Sequence, residues 1–270
     1  NSGGGFAIPA LLERLGVRSE QIVEINCEPT GVFAHPAEPL AENLTEICER
    51  VRQEGADLGI AVDPDADRLA LIADGGAFVS EELTQVIAAD FWWKHHSGPF
   101  VTNLSSSRAI DIVAARHGHS VYRSAVGEIN VVEEMKRTGA VIGGEGNGGV
   151  ILPDLHYGRD ALIGVALILQ HLTEEGRALS DLLRDLPKLQ MVKLKTDIGD
   201  LDPDEILLRM ANKYSNERIS TIDGVKIDFD EGWVHLRKSN TEPIIRVYAE
   251  ALSEEGTTAL AHRFMTELLA

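Results

Sequence analysis

Residues 59–76, GIAVDPDADRLALIADGG, decide how this chain is read. A short apolar run ends in three aspartates at alternate positions, Asp63, Asp65 and Asp67, and a second apolar run follows at once. Pro64 has no N–H to give to a sheet ladder, so the acidic residues leave the strand as a loop. Like charges this close repel, and either a cation or open water must offset the cost. In an extended stretch, residues at i, i+2 and i+4 point the same way, so the three carboxylates are expected to converge on one hard cation. Magnesium fits best, because it takes few protein carboxylates and completes its shell with phosphate or water. A calcium-binding EF-hand loop needs Gly at its sixth position, where Arg68 stands. A haloacid-dehalogenase-type Asp pair expects Thr or Val two places after its second Asp, and neither pairing supplies one. A solvated acidic loop is the remaining alternative.

Outward from this loop, DLGIAV (57–62) is nearly continuous in apolar residues, the pattern of a parallel strand covered on both faces. LALIAD (69–74) reads as its continuation, and DGG makes the turn. Upstream, residues 6–16 form an amphipathic helix ended by Gly16, and QIVEIN (21–26) reads as a short strand. PLAENLTEICERVRQEG (39–55) places Leu40, Leu44, Ile47 and Val51 on one helical face, with Gly55 beyond the end. Residues 1–76 thus make one α/β unit. A second unit, 77–187, alternates helix and strand: a helix capped by Ser80, strand FVTNL, helix SRAIDIVAARHG, strand HSVYRSAV, helix EINVVEEMKRTG, strand AVIGG and a helix over 160–172. After DLPKL the character changes. A helix near 203–214, four strands joined by DG and EG turns, and a final helix over 253–269 make a smaller unit, 188–270. The expected fold is α/β: two consecutive α/β/α sandwich domains with mainly parallel sheets, then a smaller α+β domain with an antiparallel sheet.

The 270 residues, 44% of them hydrophobic, suffice for two domains or more. ALIGVALILQHL (161–172) is too short for a bilayer span of about 20 residues and reads as a buried helix. A net charge of −18 lacks the basic footprint of a nucleic-acid binder. Cys27 and Cys48 show neither disulfide nor metal-ligand spacing, and no signal-peptide pattern opens the chain, so a cytoplasmic protein with no membrane or nucleic-acid partner is expected. NSGGGFAIPALLERLG opens on a Gly-rich turn without the strand that normally precedes one, which suggests that something upstream is absent.

Two further stretches carry chemistry. VIGGEGNGGVILPD (141–154) sets five glycines around Glu145 and Asn147 at the carboxyl end of an expected strand, where open α/β sheets bind ligands. Glu and Asn suit sugar hydroxyls, although a glycine-rich structural turn reads equally well. LRKSNTEPIIRVYAE (236–250) gathers Ser239, Asn240 and Thr241 beside Arg237, Lys238 and Arg246 in an acidic protein, a nest for phosphate or a capped hairpin turn.

Taken in this order, the motifs resemble those of the α-D-phosphohexomutase family. DPDADR resembles its magnesium loop, GGEGNGG its sugar-recognition loop and RKSNTEP its phosphate-binding loop; AVGEINVVEEM and CEPTGVFAHPAEP agree as well. The resemblance implies an isomerase that moves a phosphoryl group between O1 and O6 of a hexose phosphate, through a phosphoserine and a bisphosphorylated sugar. It implies magnesium on Asp63, Asp65 and Asp67 with assistance from Arg68. Glu145 and Asn147 would hold sugar hydroxyls, and Arg237, Ser239, Asn240, Thr241 and Arg246 the phosphate that is not reacting. Family members have four domains, and the three units here look like the second, third and fourth. The phosphoserine of a Ser-His-Asn-Pro loop belongs to the first, which is expected to be the missing partner of this polypeptide. Ser105, Ser106 and Ser107 read as capping residues. A homodimer is compatible with the resemblance. Many relatives have Ser at Asn147, an aromatic near Gly149 and Gly at Ala161, so the sugar stays open among glucose, mannose and glucosamine. The competing class is a non-catalytic module that binds magnesium and sugar phosphate.

Overall fold

The computed structural model describes residues 1–239 and 242–269. Its first helix, α1 (Gly4–Arg14), is followed by irregular chain with 3₁₀ turns and then by α2 (Thr45–Glu54), which Gly55 ends in a left-handed cap at φ 64°. Strands β1 (Leu58–Val62), β2 (Leu69–Ala73) and β3 (Ala77–Val79) form an antiparallel meander. Two expectations change here. Residues 69–74 do not continue β1 but turn back on it, in the register Val62↔Leu69 to Leu58↔Ala73. The loop between them is too short for the crossover that a parallel pair requires. QIVEIN forms no strand: Ser19–Gln21 is a 3₁₀ turn and Ile22 onward is irregular. All five residues of β2 are buried, as its apolar run demands.

The second unit supplies the parallel pairing. After α3 (Glu81–Trp92) come β4 (Phe100–Asn103), α4 (Ala109–His117), β5 (Val121–Ser124), α5 (Glu128–Thr138), β6 (Ile142–Glu145) and β7 (Gly149–Ile151). The sheet order is β5-β4-β6-β7, with β4 parallel to both neighbours and β7 folded back on β6. Next is α6 (Ala161–Glu175), whose Asp160 side chain caps Leu162 and Ile163 N–H groups at 2.7 and 3.3 Å, and then α7 (Leu179–Asp185). One apolar core joins the first two units: Leu69 and Leu71 of β2 pack with Val86 and Ile87 of α3 and Val165 and Ile168 of α6.

The last unit is the expected antiparallel sheet, enlarged by one strand. β8 (Gln190–Asp197) and α8 (Pro203–Lys213) precede β9 (Arg218–Ser220), β10 (Val225–Asp228), β11 (Gly232–Lys238) and β12 (Ile244–Ala251). The order β8-β12-β11-β10-β9 closes with α9 (Glu254–Leu268) on one face, over a core that includes Val234, Leu236, Val247 and Phe264. The other face is polar and docks on the second unit. There the Arg108 guanidinium donates to Asp228 Oδ1 at 2.9 Å and to the Phe229 and Gly232 carbonyls, while its backbone N–H donates to Glu250. Among the described residues, no helix is long and apolar enough to cross a membrane.

Candidate functional site

The acidic loop converges by turning, not by strand alternation. Pro64 fixes one backbone angle, Ala66 takes a left-handed φ of 56°, and its N–H donates to the Asp63 carbonyl at 3.1 Å. One carboxylate oxygen from each of Asp63, Asp65 and Asp67 then lies within 4.8 Å of the others. Their roles are unequal. Asp63 is 1% exposed; its Oδ1 accepts the Asp67 and Arg68 N–H groups at 3.1 Å each, and its Oδ2 accepts Arg68 Nε at 2.6 Å. Burial opposes its charge, but the Arg68 contacts outweigh burial and hold Asp63 below the usual carboxylate range. Asp65 is exposed. Asp67 moves the other way: burial, then the neighbouring Asp63 carboxylate, push it up to about 6 although Arg159 pairs with it. Asp67 Oδ1 is buried and accepts no hydrogen bond among the described residues. An orphaned lone pair beside two further carboxylates is a donor set that fits a hard divalent cation.

Glu145 ends β6 and is 2% exposed. Its Oε1 accepts Asn103 Nδ2 at 2.7 Å and the Gly127 N–H at 3.2 Å; its Oε2 accepts Arg159 Nη1 at 2.9 Å. Asn147, half-buried, accepts the Gly149 N–H at 3.1 Å and so shapes the turn. Gly148, at φ 91°, gives its carbonyl to the Leu69 N–H at 3.0 Å, and a Cβ there would strike the Leu69 backbone. Glycine at 148 therefore lets this loop lie directly on the strand that leaves the acidic loop.

Arg237, the last residue but one of β11, pairs with Asp223 Oδ2 at 2.8 Å. Lys238 turns away to Asp204. Register places Arg237 opposite Arg246, and Arg246 opposite Lys195 of β8, so three cations lie abreast. Among the described residues neither Lys195 nor Arg246 has an ion-pair partner, an arrangement that repels itself unless an anion sits over it. The Ser239 N–H donates to the Ile244 carbonyl at 3.0 Å. Asn240 and Thr241 lie outside the described residues.

The fold joins the three loops into one polar chain. Asp223 forms an ion pair with Arg237 and accepts the Val126 N–H at 3.0 Å; next door, Gly127 donates to Glu145; Arg159 links Glu145 to Asp67; and Arg68 touches Asp67 and Asp63. Glu128 also fixes Arg159, its Oε1 accepting the Arg159 backbone N–H at 2.8 Å. Sequence reading missed Arg159, Asp223 and Lys195, although Arg159 stands in the stretch YGRDALIG. The three serines also differ from expectation. Only Ser107 caps, accepting the Ala109 N–H at 3.0 Å. Ser106 accepts the Gly146 N–H at 2.9 Å, and Ser105 lies 2.9 Å from His235 Nδ1. A strand-end turn beneath a second domain offers these hydroxyls partners that no local pattern reveals.

Sequence models of the phosphoglucomutase/phosphomannomutase family match along the chain: α/β/α domain II over residues 1–76, α/β/α domain III over 80–189 and the C-terminal domain over 168–267. The chain is 39% identical over 259 residues to the phosphoglucomutase/phosphomannomutase of Thermococcus kodakarensis, a match covering 94% of this chain and 56% of that protein. It is 35% identical over 271 residues to a protein of Methanopyrus kandleri named "Probable phosphoglucosamine mutase", covering 98% and 59%. The crystal structure of a phosphoglucomutase/phosphomannomutase family protein from Burkholderia thailandensis shares the fold at a TM-score of 0.85 and 23% identity, covering 99% of this chain and 58% of that one. The chain thus spans less than two thirds of the length of these relatives. Three consecutive domain matches, carrying the same loops that the structure draws together, show that the chain belongs to the α-D-phosphohexomutase family of phosphoglucomutases and phosphomannomutases.

Proposed function

We propose that these residues form the metal-, sugar- and phosphate-binding part of a phosphohexomutase that interconverts hexose 1-phosphates and hexose 6-phosphates. In this reading the chain divides into units at 1–76, 77–187 and 188–270, and works in the cytoplasm, where its two free thiols stay reduced. The observation that carries the reading is the unbroken line of contacts from Arg237 to Asp63. A substrate with a phosphate at each end of its path needs a cationic grip, sugar contacts and a charge-neutralising centre in one cleft. Asp63, Asp65 and Asp67 would hold magnesium, which when bound offsets charge on the transferring phosphoryl group. Arg68 keeps Asp63 ionised and in place. Arg237, Arg246 and Lys195, with Ser239, Asn240 and Thr241, grip the non-reacting phosphate. Glu145 and Asn147 shape the sugar subsite, Glu145 by anchoring the loop as much as by contact.

The phosphoryl donor in this reading is a phosphoserine of a further domain outside these 270 residues. Ser105 is a poor substitute. It is 8% exposed, and its partner His235 donates Nε2–H to the Asp223 carbonyl at 2.6 Å. Burial pulls that imidazole down to about 4, too weak a base to activate a hydroxyl near neutral pH. The test supplies glucose 1-phosphate, mannose 1-phosphate and glucosamine 6-phosphate with magnesium and a bisphosphate activator. Isomerisation is expected only when a Ser-His-Asn-Pro domain of the family is added. Turnover by the 270 residues alone would move the nucleophile to Ser105, and none with the added domain would leave a binding module.

Affinity and choice of sugar should separate. Arg237→Ala removes a charge-assisted contact worth about 1.5–3 kcal/mol and should weaken all hexose phosphates alike, roughly ten- to hundredfold. Glu145→Gln should alter their ranking instead. Calorimetric affinities for the three sugars check this, and the reverse pattern would exchange the two assignments.

A further inference from the structure

Lys193 lies outside every motif, yet it reaches from β8 of the C-terminal sheet into the glycine-rich loop of the second unit. Its Nζ meets Glu81 Oε1 at 2.9 Å, Glu82 Oε1 at 2.8 Å and the Gly146 carbonyl at 3.3 Å. An ammonium has three protons, and all three have an acceptor here. Glu82 is 5% exposed in the first turn of α3, and its other oxygen accepts the Ser107 N–H at 2.9 Å. Gly146, between Glu145 and Asn147, is therefore gripped on both sides, its N–H by Ser106 and its carbonyl by Lys193. A Cβ at 146 would strike the Glu82 carboxylate, so the loop lies directly on this ion pair.

We propose that Lys193 is a positioning residue for sugar recognition: by bracing Gly146 against Glu82 it makes the shape of the 143–149 loop depend on docking of the C-terminal sheet. The brace rests on the sugar role given above to Glu145 and Asn147. Of the polar contacts that hold Gly146, Lys193 supplies the one arriving from the C-terminal unit, among the described residues. The phosphate grip on that sheet and the sugar subsite beneath it are then set by one rigid-body placement. A hexose phosphate that seats its phosphate on Arg237 thereby meets a loop already shaped for its hydroxyls. Burial pushes Glu82 up to about 7, and the ammonium opposes that shift, so the pair depends on Lys193 staying in place.

The test uses the 270-residue chain with Lys193→Met and Glu82→Gln. The second variant leaves no unpaired buried anion, and folding of both is verified by thermal melting. Amide exchange over Gly144–Gly148 should quicken roughly tenfold in each, as expected for loss of one charge-assisted contact. Glucose 1-phosphate affinity should fall by a similar factor, while inorganic phosphate, which does not use the loop, binds unchanged. Lys193→Arg should restore most of the protection. Unchanged exchange over Gly144–Gly148 in both variants would overturn the brace, as would equal losses for glucose 1-phosphate and inorganic phosphate. Faster exchange in variants of a wild type that binds no sugar phosphate would uphold the brace and strike down the functional reading instead.

Discussion

Asp63→Ala should destabilise the folded chain by about 1.5–3 kcal/mol, the cost of removing a buried carboxylate whose charge-assisted hydrogen bonds hold a half-buried arginine and two backbone N–H groups. The carboxylate satisfies two backbone N–H groups and the Arg68 guanidinium at once. Without it those donors stay inside the turn, and Ala66 loses the frame that holds its left-handed backbone. Asp65→Ala should cost less than about 0.5 kcal/mol, because Asp65 is exposed and supports nothing else. Yet Asp65→Ala should abolish the heat of magnesium binding in calorimetry. The pH dependence has a definite sign. Asp67 holds its proton up to about 6, so magnesium competes with that proton, and the binding heat should grow from pH 5 to pH 7. Denaturant midpoints of the two variants check the first half. Equal losses of stability would mean that the loop is not built around Asp63, and an unaltered magnesium heat in Asp65→Ala would remove the cation site.

Lys226→Met should stabilise the chain at neutral pH, by about 2–4 kcal/mol. Lys226 is 3% exposed on the docking face of β10, with its Nζ 4.3 Å from the centre of the Trp233 ring. The carboxylates near it are already committed: Asp111 to Arg123, Asp228 to Arg108, and Glu250 to Trp233 and the Arg108 N–H. Burial first, then the positive Arg123, bring its amine down from 10.5 to about 7. The unfolded chain therefore binds this proton more tightly than the folded one. That penalty is fully present below pH 7 and is relieved as the pH rises from 7 to 10.5. The advantage of methionine should shrink over the same interval and vanish above it. Denaturation curves at pH 6, 8 and 10 measure it. A gain that grows with pH would mean that the folded state keeps Lys226 charged, with the Trp233 face stabilising the cation.

Fold class and candidate loops were legible in the sequence because they rest on local rules. Glycine ended α2 where the pattern stopped, DG and EG turns joined antiparallel strands, and the helix–strand alternation of residues 81–145 produced parallel pairing of β4 with β5 and β6. The acidic triplet was legible as chemistry, since crowded carboxylates demand a partner, but not as geometry. Periodicity suggests an extended run, whereas Pro64 and the left-handed Ala66 make a turn that folds β2 back on β1. QIVEIN shows the limit of propensity. Its residues suit a strand, but a strand exists only where a neighbouring backbone is present to pair with it, and Ile22 onward has none among the described residues. The partners of the candidate site lay further out of reach. Arg159 meets Asp67 across 92 residues, Asp223 meets Val126 across 97, and Lys193 meets Gly146 across 47. No spacing rule spans such separations. By itself the sequence determined which loops carry charge, glycine and turn chemistry; packing of three units decided which side chains meet in one line of contacts, because burying Arg159, Asp223 and Lys193 is tolerable only where the fold supplies each with a partner.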